Sequence, residues 1–80
     1  MIVRTPSEGL VVEVRISLGQ LVDEDEILVM IENKSMDGIP EAIHAPASGE
    51  IVEIHVAEGD RIQYDDELVT LQASDPDDEG

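Results

Sequence analysis

An internal repeat is the feature that most constrains the fold of this chain. When the sequence is shifted by 40 positions against itself, residues 3–32 align with residues 43–72. The identical pairs are Pro6/Pro46, Gly9/Gly49, Val12/Val52, Glu13/Glu53, Gly19/Gly59, Asp25/Asp65, Leu28/Leu68 and Val29/Val69. The repeat predicts that an 80-residue chain builds its core from two copies of one small unit.

Each copy has the pattern of short strands joined by tight turns. Glycine at positions 19 and 59 predicts turns with positive φ. The acidic segments 23–25 and 64–66 predict a second turn in each copy. Apolar residues alternate with polar ones before the first turn, which predicts a strand with one buried face, at Val12, Val14 and Ile16 and again at Val52, Ile54 and Val56.

The apolar composition favours an all-β fold. Of the 24 Val, Ile and Leu residues, 18 are β-branched, and such residues suit a pleated, half-buried surface. No segment has the apolar stripe of a helix. Because neither copy could cover its own apolar face, we expect two copies to pack face to face as a pseudo-twofold sandwich or flattened barrel.

The charge of the chain excludes several classes of partner. Twenty acidic residues against four Lys and Arg give a formal net charge of −16, which repels phosphate backbones and anionic membranes. We therefore expect no nucleic-acid or membrane partner and a monomeric domain. There is no cysteine, no leader sequence and no apolar run long enough to span a bilayer, which predicts a cytoplasmic protein. Residues 73–80 are acidic without apolar content, which predicts a disordered tail or a linker.

The sequence predicts neither a catalytic nor a metal site. The acidic segments 23–26 and 65–67 lack the spacing of a calcium loop. Ser35 and Ser48 have no visible partnership with His and Asp, so nucleophilic catalysis is not expected. His44 aligns with a basic residue of the first copy, as does His55, so both are interpreted as surface positions that favour basic residues rather than as zinc ligands.

Three segments of the second copy carry the signature of a known family. Residues 44–54 read His-Ala-Pro-Ala-Ser-Gly-Glu-Ile-Val-Glu-Ile, residues 58–62 read Glu-Gly-Asp-Arg-Ile, and Glu67-Leu68 begin the last strand. These segments resemble the Ala-Pro-x-x-Gly signature, the Gly-Asp-x-Val/Ile turn and the closing strand of the biotinyl/lipoyl carrier domains, over about residues 2–72. The resemblance implies a barrel-sandwich hybrid over residues 1–72, with two pseudo-twofold-related four-stranded antiparallel sheets and a modified lysine on a joining hairpin, residues 33–42.

Lys34 is the only lysine of the chain, and it lies in that joining segment. A primary amine can form an amide, and its flexible stem extends whatever it carries. The resemblance implies that Lys34 is the covalent cofactor acceptor and that Glu32, Asn33 and Ser35 flank it. Glu32 and Asn33 before the lysine and Ser35 after it are similar to the lipoyl pattern with one Asp deleted, whereas Met36 stands one place too far for the biotin pattern Met-Lys-Met. Lipoate on Lys34 is our first interpretation, biotin is the second, and an unmodified domain is the third.

The joining segment is three residues longer than is usual in the family. It contains Asp37-Gly38, the preferred pair for a type I′ hairpin turn. A turn there would pair Lys34 with Glu41 and Glu32 with Ile43, so that an unmodified Lys34 could face Glu41. Because Pro40 has no N–H for a strand ladder, a loose loop from residue 33 to residue 42 is the alternative.

Each interpretation of Lys34 implies a function without catalysis by the domain itself. A lipoyl arm would shuttle an acyl group between active sites of a 2-oxo acid dehydrogenase complex. Its partners would be the 2-oxo acid dehydrogenase, the acyltransferase core, the flavin dehydrogenase and a lipoate ligase, and the chain could be a domain of the acyltransferase. A biotin arm would make a carboxyl carrier between a biotin carboxylase and a carboxyltransferase, loaded by a biotin ligase. Without a cofactor, the domain would be a binding or assembly module.

Overall fold

The all-β prediction is confirmed by a computed structural model that describes residues 1–33 and 39–73. Within these ranges there is no helix long and apolar enough to cross a membrane. The strands are β1 Ile2–Arg4, β2 Gly9–Val14, β3 Leu21–Val22, β4 Ile27–Glu32, β5 Pro40–His44, β6 Gly49–Ile54, β7 Arg61–Ile62 and β8 Glu67–Ala73. The last strand extends one residue into the segment predicted as a tail, and residues 74–80 lie outside the described residues.

The strands form two four-stranded antiparallel sheets related by the sequence repeat. The first sheet has the order β1-β8-β6-β3 and the second has the order β5-β4-β2-β7. The 40-residue shift converts β2 into β6 and β3 into β7, and it converts the whole first order into the second. The pseudo-twofold prediction is therefore confirmed. The copies do more than pack face to face, because each sheet takes its central pair from one copy and its two edge strands from the other.

Four turn residues adopt the left-handed conformation at equivalent positions. The predicted glycine turns are confirmed, with φ of 83° at Gly19 and 95° at Gly59. Asp25 and Asp65 also have positive φ, 72° and 73°, and Asp is one of the few residues with a side chain that tolerate this region. The acidic segments therefore serve as turns, as their repeated positions predicted.

The core is built by the two inner faces of the sheets. Its buried apolar residues are Val3, Val11, Ile16, Val22, Leu28, Val29, Ile31, Ile43, Ala45, Ile51, Ile62, Leu68, Val69 and Leu71. Most of these residues come in repeat-equivalent pairs, such as Val11 with Ile51 and Leu28 with Leu68. The two copies thus contribute equally to a single core.

The alternation predicted for β2 and β6 is wrong at one residue in each strand. Val12 and Val52 are 38% and 37% exposed, whereas Val11 and Ile51 are 1% and 0% exposed. The pairing with β4 shifts between Val11 and Glu13, and the pairing with β8 shifts at the equivalent place. The extra residue of a β-bulge reverses the alternation, so the buried face changes phase in a way that a strict period of two cannot predict.

Two glycines allow the start of a long strand to lie against the end of its neighbour. A Cβ atom at Gly9 would lie 2.4 Å from the carbonyl oxygen of Glu32, and one at Gly49 would lie 2.3 Å from that of Gln72. Because both obstacles are backbone atoms, the two strands would have to separate to admit a side chain. Close packing at Gly9 therefore holds the end of β4 against β2, and close packing at Gly49 holds the end of β8 against β6.

The bulge predicts different stability effects for two adjacent residues. Ile51→Ala removes a fully buried side chain, and we expect it to lower the free energy of unfolding by about 2–5 kcal/mol. Val52→Ala trims a side chain on the outer face, and we expect a loss below about 1 kcal/mol. Urea denaturation of both variants measures the difference. Equal losses would contradict the bulge.

The glycine contacts predict damage at opposite ends of the molecule. We expect Gly9→Ala and Gly49→Ala each to lower the free energy of unfolding by about 1–3 kcal/mol, because the new methyl group forces a backbone shift. Native-state hydrogen exchange should show faster exchange near Glu32 in the first variant and near Gln72 in the second. Faster exchange near Glu32 in both variants would refute the local origin of the effect.

Candidate functional site

Two of the four candidate residues, Glu32 and Asn33, lie where β4 of the β4–β5 hairpin ends. Glu32 is the last residue of β4, it lies opposite Pro40, and it is half-buried, as is Asn33. Lys34 and Ser35 follow in the sequence, and both lie outside the described residues. β4 ends two residues before Lys34, so the structure defines the strand that leads to this lysine.

The pairing predicted from a turn at Asp37-Gly38 is wrong. Glu41 lies opposite Ile31 rather than Lys34, and Ile43 does not pair with Glu32. The predicted pairing differs from the observed pairing by three residues. A shift by an odd number of residues turns every side chain of β5 to the opposite face of the sheet. Ile43, which is 6% exposed, would then leave the core for the outer face that Glu32 occupies. Burial of Ile43 therefore sets the observed pairing.

The loose-loop alternative is also wrong for residues 40–42, which belong to β5. Pro40 is tolerated because β5 is an edge strand with a single neighbour, β4. The side chain of Glu41 accepts a hydrogen bond from Ser7 Oγ at 3.0 Å. This contact ties β5 to the segment between β1 and β2, so the hairpin base is held by Gly9 on one side and Ser7 on the other.

A groove runs across the second sheet beside the hairpin. The pairing aligns Arg61 with Leu10 and Leu10 with Glu32 across three adjacent strands, β7, β2 and β4. Residues directly opposite one another project from the same face of a sheet, so these side chains share the outer face. The groove has a volume of about 420 Å³, and its lining residues are Glu8, Gly9, Leu10, Glu32, Asn33, Arg61, Ile62 and Gln63.

Arg61 is a residue of this site that the sequence analysis missed. In the sequence it occupies the variable position of the Gly-Asp-x-Ile turn. The repeat did hold a signal, because the equivalent residue of the first copy is Leu21, which is uncharged and 75% exposed. Because the two copies differ at this exposed position, the two ends of the molecule differ in charge, and the cation is at the end where Arg61 lies.

Two other basic residues have equivalent structural roles in the two copies. Arg4 Nη1 donates a hydrogen bond to the carbonyl oxygen of Asp65 at 3.0 Å, and His44 Nδ1 lies 2.8 Å from that of Asp25. Because a carbonyl oxygen only accepts, His44 Nδ1 must carry the proton. Both side chains therefore bind the positive-φ residue of an acidic turn.

A second equivalent pair of basic residues directly follows the bulged strands. Arg15 Nε is 3.2 Å from Glu13 Oε1, and His55 Nε2 is 3.6 Å from Glu53 Oε1. His55 also lies 2.9 Å from the hydroxyl group of Thr70. Among the residues that the structure describes, no three His, Asp or Glu side chains are grouped so that they could hold a metal ion.

The last described residue, Ala73, lies at the end of the molecule remote from Glu32. Ala73 is opposite Gly49, and a short turn joins Gly49 to His44 at the end of β5. His44 is opposite Ile27, the first residue of β4, whereas Glu32 is the last. About 17 Å of strand therefore separates the two ends.

Comparisons with known proteins agree on the type of domain. Residues 3–71 match the biotin/lipoyl family model, whose description is "Biotin-requiring enzyme". No curated protein matches the sequence significantly. A domain of a single-chain, multi-domain long-chain acyl-CoA carboxylase is similar at 26% identity with a TM-score of 0.83, covering 96% of this chain and 8% of that one.

Two further solved structures share the fold. The urea carboxylase of Kluyveromyces lactis has 17% identity and a TM-score of 0.81, covering 90% of this chain and 6% of that one. A truncated AcrA from Campylobacter jejuni has 22% identity and a TM-score of 0.81, covering 95% of this chain and 89% of that one. The chain thus spans less than a tenth of the two carboxylases. With the family model matched over residues 3–71, the chain belongs to the biotin/lipoyl family of carrier domains, whose members hold biotin or lipoate on a lysine.

Proposed function

We propose that this domain is a biotin carboxyl carrier and that Lys34 holds the biotin. The observation that carries the proposal is the similarity to the acyl-CoA carboxylase domain, which extends over 96% of this chain. The urea carboxylase supports the same type of fold. Biotin was the second interpretation of the sequence, and these comparisons favour it over lipoate.

The residues of the hairpin fit a covalently attached group. Lys34 supplies the only side-chain primary amine of the chain. The strands that lead to it are anchored at both sides, by the contact of Gly9 with Glu32 and by the hydrogen bond from Ser7 to Glu41. Anchored strands on either side of the attachment segment suit a carrier, because a functional group is best supported by rigid elements.

Attachment requires an amide bond between Lys34 Nζ and the carboxyl group of the cofactor. A biotin ligase would have to activate that carboxyl group, and the activating group would leave while the amine released a proton. When attached, biotin supplies a ureido nitrogen that takes up a carboxyl group. The domain itself contributes positioning and effective concentration rather than catalysis.

The partners of such a carrier would be a biotin carboxylase and a carboxyltransferase. The net charge of −16 favours approach to basic rims on these enzymes, and the effect weakens with salt. We propose a cytoplasmic location for the exchange. Because Ala73 lies at the end remote from Glu32, a connection made through the C-terminal end would leave the hairpin accessible to partners.

A lipoyl carrier is the second candidate. It is favoured by a specific observation, the sequence Ile31-Glu32-Asn33 before Lys34 and Ser35 after it, which resembles the lipoyl pattern. Its partners would be the components of a 2-oxo acid dehydrogenase complex. The unmodified module is the third candidate, and the likeness to AcrA supports its fold alone.

A loading experiment tests these candidates. The protein is incubated with ATP and biotin and a biotin ligase, or with ATP and lipoate and a lipoate ligase, and its intact mass is measured. We expect one biotin adduct and no lipoate adduct, because the proposed function requires recognition by biotin ligase. The matched control Lys34→Arg keeps the positive charge but offers no acylable side-chain amine, so it should gain no mass with either enzyme.

The other outcomes identify the alternatives. A lipoate adduct alone would support the lipoyl carrier. No adduct with either enzyme would exclude both carriers and leave the unmodified module. An adduct that persists in Lys34→Arg would show that the amine of Met1, rather than Lys34, had been acylated.

A further inference from the structure

The groove beside the hairpin is within reach of an arm attached to Lys34. Asn33 lines the groove and immediately precedes this lysine, so their Cα atoms are about 3.8 Å apart. Arg61 lies two strands away from Glu32, which corresponds to about 9.5 Å between their Cα atoms. The long stem of a modified lysine spans such a distance.

The groove is lined by charged side chains of both signs and by the apolar side chain of Leu10. Arg61 provides the hydrogen-bond donors of a guanidinium group, and Glu8 and Glu32 provide carboxylate acceptors. Leu10, which is half-buried and lies between Arg61 and Glu32 in the strand pairing, provides the apolar surface. Within residues 1–33 and 39–73, Arg61 forms no ion pair with a carboxylate, so its donors remain available to a ligand.

The two copies differ at this place. The residues equivalent to Arg61 and Leu10 are Leu21 and Glu50. The corresponding surface at the other end of the molecule therefore has no cation at this position, and its apolar side chain is on the edge strand instead of the central one. The pseudo-twofold scaffold would accept the same residues at both ends. The guanidinium donor is therefore present at the end of the molecule where Glu32 and Asn33 lie, and it is absent from the equivalent position at the other end.

We propose that this groove is a resting site for the biotin ring carried on Lys34. This inference rests on the proposed function. The guanidinium group of Arg61 donates to the ureido oxygen of the ring, and a carboxylate of Glu32 or Glu8 accepts from a ureido N–H. The hydrocarbon part of the ring packs on Leu10. The dithiolane ring of lipoate has no carbonyl oxygen or N–H to match these groups, so the site is selective for biotin.

The test compares amide chemical shifts of the protein before and after biotin loading, with complete loading verified by intact mass. Attachment alone should shift amides next to Lys34. Occupation of the groove should also shift the amides of Leu10, one strand away from Glu32, and of Arg61 and Ile62, two strands away. We expect Arg61→Leu, which installs the residue of the other copy, to abolish these distant shifts.

Arg15→Leu is the matched control, because it removes the same charge from an exposed arginine that does not line the groove. It should retain the distant shifts. Arg61→Lys keeps the charge without the forked donors and should give smaller shifts than the natural protein, and it replaces Arg61→Leu should that variant fail to fold.

Each result has a distinct meaning. Failure of biotin ligase to load the protein would contradict the proposed function and the resting site with it. A loaded protein without shifts at Leu10, Arg61 and Ile62 would overturn the resting site alone. Equal shifts in Arg61→Leu, or in protein loaded with lipoate, would overturn recognition of the ureido group by Arg61.

Discussion

Pairing between the two copies is the constraint on which the rest of the structure depends. Each sheet is completed by two-residue strands from the other copy, β3 on β6 and β7 on β2. Beside these strands, the amide of Gly19 donates to the carbonyl oxygen of Ile51 at 2.7 Å, and that of Gly59 donates to Val11 at 2.8 Å. Ile51 and Val11 are also core residues of the bulged strands. One copy alone would therefore lose its edges, its turns and half of its core together.

The same pairing explains how a symmetric scaffold can serve an asymmetric function. The 40-residue shift reproduces the sheet order, the positive-φ turns and even the contacts of Arg4 and His44. Positions that carry the scaffold are thus similar in both copies. Positions that depart from the repeat while exposed to solvent, such as Arg61 and Leu21, are not required by the scaffold. Their difference is more simply related to function than to folding.

Much of the fold was predictable from the sequence because the repeat supplied two independent observations of each element. Gly19 and Gly59 predicted the same turn twice, and the acidic turns were predicted in the same way. The bulges were not predictable, because Val11 and Val12 are equally apolar and only the pairing with β4 decides which one is buried. The hairpin pairing was predicted wrongly because Asp37-Gly38 favours a local turn, whereas burial of Ile43 acts over the whole strand. At the candidate site, Lys34 is a prediction that rests on its uniqueness in the sequence, whereas Arg61 became visible only through the alignment of three strands.

In a carrier domain, the affinity of the domain's own surface for the arm has an upper limit, because the arm must leave that surface to enter a partner's active site. Each factor of ten in favour of the docked arm corresponds to about 1.4 kcal/mol, which a partner's active site must overcome. A single exposed arginine beside carboxylates in an open groove would contribute on the order of 1 kcal/mol, because solvent screens its charge-assisted hydrogen bonds. If the groove holds the arm as proposed, a contact of that size would favour the docked arm by less than about tenfold, so an enclosed enzyme site could displace it. The open groove with one cation is therefore compatible with transfer, whereas an enclosed pocket at the same place would oppose it.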